Sequence, residues 1–125
     1  VQELKIKIMK RLDFIDVCQR LQKKIIIMQL KKKQLQKKAN SKYKATYIPI
    51  IEKKEADINR LQNMLNLIIK NISRINYNVL RTYLKNKGIT SAQFCAFKRL
   101  LSPKSDTFFY ILEYLKKIEN IQNEF

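Results

Sequence analysis

The stretch IEKKEADINRLQNMLNLIIKNISRINYNV, residues 51–79, decides the fold. Laid out in heptads, Ile51, Ile58, Leu65, Ile72 and Val79 take one seam position. Leu61, Ile68 and Ile75 take the other, with Lys54 the exception. Apolar residues at alternating steps of three and four keep one stripe of a helix turned toward a partner. Such a helix is marginal alone in water and requires a second helix along its stripe.

The partner lies upstream. Leu4, Ile8, Leu12, Ile15, Cys18, Leu21, Ile25, Met28 and Leu35 recur at helical steps across residues 2–38, with no Gly or Pro between them. Lys5, Lys10, Arg20, Lys24, Lys31 and Lys38 occupy the other face. At about 1.5 Å per residue this helix is about 55 Å long, the scale of a coiled-coil arm. The triple Ile25-Ile26-Ile27 is apolar on more than one face, which predicts a core with several neighbours. Asn40 and Ser41 compete with the backbone for hydrogen bonds and favour a turn. Pro49 disfavours helix at Ile48 but suits a first helical turn. The connection is therefore expected at 39–48 and the second helix from 49–51, with Glu52, Glu55 and Asp57 at its positive end. Two long helices joined this way form an antiparallel hairpin, expected to occupy residues 1–78.

Residues 79–125 read as a C-terminal cluster of shorter helices, either packed on the hairpin or part of one folding unit. The seam drifts near Asn76-Tyr77-Asn78, where the second helix either continues to Lys87 or kinks; beyond it Leu80, Tyr83 and Leu84 carry the stripe, and Gly88 stops it because glycine takes positive φ at no steric cost. Thr90-Ser91-Ala92-Gln93 has the spacing of a capping box. Phe94, Cys95, Phe97, Leu100 and Leu101 supply the apolar face that follows. Ser102-Pro103 is expected to open the last helix, striped by Phe108, Ile111, Leu112, Leu115, Ile118 and Phe125. With one glycine and two prolines the chain cannot make the many tight turns of an all-β fold, so the fold class is all-α. Apolar residues at 46% make a folded domain, despite the 30% that are charged.

The formal charge of +17 is an argument about partners. Self-repulsion on this scale is relieved by a polyanion, although Lys, Ile and Asn also accumulate in chains encoded by AT-rich DNA. From Lys31 to Lys44 there are seven lysines in fourteen positions and no acid. Lys31, Lys32, Lys33, Lys37, Lys38, Lys42 and Lys44 are candidates for phosphate contacts, with Tyr43 available to stack on an unpaired base. A second candidate set lies in the trihelical run 79–117, whose layout has the outline of helix–turn–helix DNA readers. Here Gln93 and Arg99 have the chemistry to read base edges, and Lys98 and Lys104 that to hold phosphates. Ser105 and Thr107 could add hydroxyl contacts. The bland reading of the first set is a solvated hairpin tip, and of the second a plain helical cap on a bundle.

Other chemistry is poorly supplied. Histidine is absent, which removes His-dependent acid–base catalysis and the usual zinc sites. Cys18 and Cys95 both fall in apolar stripes and read as buried free thiols, with an interhelical disulfide as the alternative. The pairs Asp13/Asp16 and Glu52/Glu55 read as surface ion-pair partners rather than catalytic carboxylates. No apolar run reaches eighteen residues and no signal-peptide layout opens the chain. A basic amphipathic first helix could lie on anionic lipid, yet its stripe already has a protein partner. The expectation is an intracellular (cytoplasm, nucleoid or nucleus), non-enzymatic protein without cofactor or metal, binding DNA or RNA. The competing expectation is a helical scaffold that grips an acidic protein, a partner helix or a second copy of itself through the hairpin.

Overall fold

In a computed structural model the described backbone covers residues 2–39 and 44–123, with side chains described for 14–39 and 44–120. It consists of five helices: α1 (Gln2–Ala39), α2 (Lys44–Asn71), α3 (Tyr77–Asn86), α4 (Ser91–Leu100) and α5 (Asp106–Asn123). No strand occurs among the described residues. The long helices α1 and α2 form the hairpin, and α5 packs on α2 while also contacting α3 and α4. One continuous core joins the five, drawing Phe14, Leu21, Leu61, Leu80, Phe97 and Phe108 into the same cluster.

The second helix is longer at its start and shorter at its end than the heptads predict. It begins at Lys44, with Pro49 inside it. Tyr47, Ile51 and Lys54 are each half-buried on the stripe that leads into Ile58 and Leu61. Packing along that stripe outweighs the missing backbone N–H of Pro49, which falls only six residues into the helix. At the other end α2 stops at Asn71, and a turn over 72–74 intervenes. Asn76 then caps α3, its side chain accepting from the N–H groups of Asn78 and Val79. Val79 thus belongs to α3 and is exposed. The buried stripe of α2 is Ile58, Leu61, Met64, Ile68 and Asn71, with Leu65 and Ile72 half-buried. A helix contacted by α1 on one flank and α5 on the next buries a wider arc than a two-stranded seam does.

Two further corrections concern the cluster. Pro103 does not open α5: it is buried in the turn, and α5 starts at Asp106. Ser105 caps it, accepting the N–H of Phe108 at 3.2 Å while donating to the carbonyl of Ser102. Between α4 and α5 the corner is made by Leu101 at φ 46, a left-handed conformation normally left to glycine. Its side chain is 2% exposed, so burial of a leucine holds that strained corner in place. Gly88, at φ +84, makes the corresponding corner between α3 and α4, as its composition predicts. The Thr90–Gln93 capping box also forms, Gln93 Oε1 accepting the N–H of Thr90 at 2.7 Å.

Cysteine burial is split. Cys18 is buried and its thiol pushed up by burial, whereas Cys95 is exposed rather than part of the α4 stripe; both are free. The isoleucine triple likewise divides, with Ile25 in the core and Ile26 and Ile27 more than half exposed.

Candidate nucleic-acid interface

A helix turns about 100° per residue, so residues four, seven and seven apart stay within about 40° of one another. Arg20, Lys24, Lys31 and Lys38 have that spacing and form a row down one flank of α1. The upper end of the row is fixed by contacts. Arg20 Nη1 donates to the carbonyl of Lys98 at 3.1 Å. Lys24 Nζ donates to the carbonyls of Leu100 and Leu101, the latter at 3.2 Å. These are the outward-pointing last carbonyls of α4, the negative end of its dipole, where cations are favoured. Burial lowers the pKa of Lys24, and the nearby carboxylate of Asp57 partly offsets this.

The clamp that Arg20 and Lys24 make on these carbonyls sets the α1 row beside the basic end of α4. Lys98 lies with its ammonium 5.0 Å from the centroid of the Phe94 ring. Arg99 and Lys104 are exposed. Lys31 continues the row about 10 Å beyond Lys24, and Lys38 a further 10 Å or so, both exposed.

The lysine-rich stretch is not a single patch. Lys33 and Lys37 are exposed on the opposite flank of α1, about 160° from Lys31 in the case of Lys33. Lys32 faces α2, half-buried and paired with Glu55 at 3.6 Å. Lys44 is exposed at the start of α2. Lys42 and Tyr43 lie outside the described residues. In the cluster, Gln93 spends its side-chain oxygen on the capping box. Thr107 is buried, and Ser105 is occupied as a cap, which withdraws both hydroxyls from any outward contact. What the sequence did not reveal is the grip of Arg20 and Lys24 on α4. Their helical register with Lys31 and Lys38 was readable, but nothing local marks an acceptor roughly eighty residues away.

Ten acids cannot neutralise 27 cations, whatever the fold does with them. Asp16 pairs with Arg20 at 3.1 Å, and Glu119 pairs with Lys70 while accepting from Asn71 Nδ2 at 3.0 Å. Lys70 first, then Asn71, holds the Glu119 carboxyl below its ordinary value. Behind the cluster Tyr83 carries Lys117 at 4.9 Å and Lys87 at 5.5 Å from its ring centroid. Burial, with the carboxylate of Glu113 beside it, raises its phenol to about 12. These aromatic faces hold cations on the surface without cancelling their charge. Among the described residues no group of three or more His, Cys, Asp or Glu is placed to hold a metal. Among the described residues no helix is long and apolar enough to cross a membrane. Set against known protein families, curated proteins and solved structures, the chain matches none.

Proposed function

We propose that this chain is a small, non-enzymatic nucleic-acid-binding protein that holds the phosphate backbone on lysine-rich helical surfaces. The observation that carries the reading is the α1 row of Arg20, Lys24, Lys31 and Lys38, anchored at the carbonyls of Lys98, Leu100 and Leu101. It makes the basic end of α4 and the outer half of α1 neighbours along one flank roughly 20–30 Å long. A line of cations on that scale matches several successive backbone phosphates, and each one neutralised releases a counterion. The α3–Gly88–α4 pair, two helices joined by a four-residue connection with glycine at its corner, supports a helix–turn–helix contribution from the cluster.

The test is a titration of the full chain with duplex DNA, single-stranded DNA and RNA at two salt concentrations. Binding to at least one, weakening steeply with salt, is expected. Replacing Lys31 and Lys38 with Gln should flatten the salt dependence more than replacing Lys33 and Lys37, because only the first pair continues the anchored row. Absence of binding to all three at low salt overturns the reading.

A second reading, a scaffold that takes a partner helix, is favoured by one feature. Ile26 and Leu30 are both more than half exposed on the flank of α1 away from the clamp, beside a shallow cleft that includes Gln29, Lys33 and Gln36. Apolar side chains adjacent on a surface mark protein contact sites more often than scattered ones do.

A further inference from the structure

The cleft between α3 and α4 offers a second place for a phosphate, on residues the α1 row does not use. It encloses about 530 Å³ and is lined by Arg81, Thr82 and Lys85 from α3 and by Ser91 from α4, with Gly88 at its corner. Leu84, Ile89 and Phe94 are buried and form its floor. Arg81 and Lys85 are four residues apart on one helix, the spacing at which side chains are neighbours and like charges repel. No acid is among the residues that line the cleft.

Arg81 is already oriented. Its Nη2 donates to Ser91 Oγ at 2.6 Å, and its guanidinium carbon lies 5.9 Å from the centroid of the Tyr77 ring. A guanidinium has five N–H donors in a fixed fork, so one bond to a hydroxyl leaves donors for an oxyanion. Thr82 Oγ1 donates to the carbonyl of Asn78 at 3.0 Å, which leaves its lone pairs free to accept. A Cβ placed on Gly88 would meet nothing within 4 Å, so the corner leaves the mouth open. The space is far larger than an inorganic phosphate, and its floor is apolar. A cationic rim over an apolar floor fits a phosphate that carries a sugar ring.

We infer that the α3–α4 cleft holds one sugar–phosphate unit of a nucleic-acid strand, with Arg81 and Lys85 on the phosphate and the ring over Leu84 and Phe94. This rests on the nucleic-acid reading and gives it a second, independent contact point. It also assigns α3 the part that the first helix plays in helix–turn–helix docking, crossing the backbone while the next helix approaches the bases.

The experiment uses the full, isotope-labelled chain. Backbone amide shifts at Lys85, Gly88 and Ser91 are followed on adding a short DNA duplex, a single-stranded oligonucleotide, RNA, inorganic phosphate and an acidic peptide. Affinity for the best-bound nucleic acid is then measured against salt for the wild type, for Arg81→Gln/Lys85→Gln and for Arg81→Lys. Shifts with nucleic acid, together with a salt slope about one smaller in the double variant and retained in Arg81→Lys, support the cleft. An unchanged slope and affinity in the double variant, with the wild type still binding, overturns the cleft and leaves the α1 row standing. Failure of the wild type to bind any nucleic acid overturns both. Shifts at these amides with inorganic phosphate or the acidic peptide but not with nucleic acid overturn the assignment to a strand.

Discussion

The two halves of the hairpin are built from the same pair of helices, yet they are different materials. In the lower half, Phe14, Val17, Cys18, Leu21 and Ile25 of α1 meet Ile58, Leu61, Met64 and Ile68 of α2, all buried. In the upper half, beyond about residue 26 of α1 and before about residue 57 of α2, Ala39 is the one described residue in the buried core. Met28, Leu35, Tyr47 and Ile51 are half-covered there, and Ile26, Ile27, Leu30, Ile48 and Ile50 are exposed. Hydrophobicity does not separate the halves, since the upper one is as rich in isoleucine. The third layer does. Packing of α5 on α2 and the hold of α1 on α4 close the lower half into a three-layer core. Two helices alone can bury only the stripe between them. Stability is therefore concentrated at one end of the hairpin, and the other end rests on a single seam.

The contrast can be broken most severely at Leu61, which is fully buried. Leu61→Asp places a carboxylate without a partner in the three-layer region and should cost about 3 kcal/mol or more. Chemical denaturation measures it; near-wild-type stability would mean that the lower half is not the core.

A smaller effect sharpens the comparison through pH. Glu119 ties α5 to α2, and Lys70 with Asn71 holds its carboxyl below the ordinary value of 4.5. Unfolding returns it to that value, so the tie contributes above that pH and is lost as pH falls through the lower folded value. Thermal midpoints of wild type and Glu119→Gln should differ most near neutrality and converge in acid. A gap that stays constant with pH would remove this link from the lower half.

The smallest effect belongs to the upper half. Ile26→Asp changes a side chain that is 56% exposed and should alter stability by no more than about 0.5 kcal/mol, read by the same denaturation. A loss comparable to that at Leu61 would show that a second molecule covers this flank in solution, and sedimentation would then report the assembly.

Legibility from the sequence follows the same division between local and distant causes. The Gly88 corner and the Thr90–Gln93 box are set by spacings of a few residues and formed where the residues imply; the hairpin formed as well, with both ends of its second helix displaced. The start of α2 was hidden because the proline rule is a local preference, and packing along Tyr47 and Ile51 overrides it. Met64 carried no seam signal because which flank of α2 a third helix covers is a tertiary fact, and Val79 left the seam because α2 stops at Asn71 and Asn76 caps a new helix. Leu101 carries no turn signal at all, since its corner is held by what it buries. In the candidate interface, the separation of Lys31 and Lys38 from Lys33 and Lys37 was available from helical angles. The tie between Lys24 and α4 was not.

That tie has a consequence for position 24 itself. An ammonium owns three hydrogens, and two of them go to the carbonyls of Leu100 and Leu101. Lys24 is therefore a rivet between the two helices before it is a surface charge. An acetyl group on that nitrogen would erase the charge and leave a single N–H for two oxygens, loosening α4 from α1 in the same stroke that dims the basic flank.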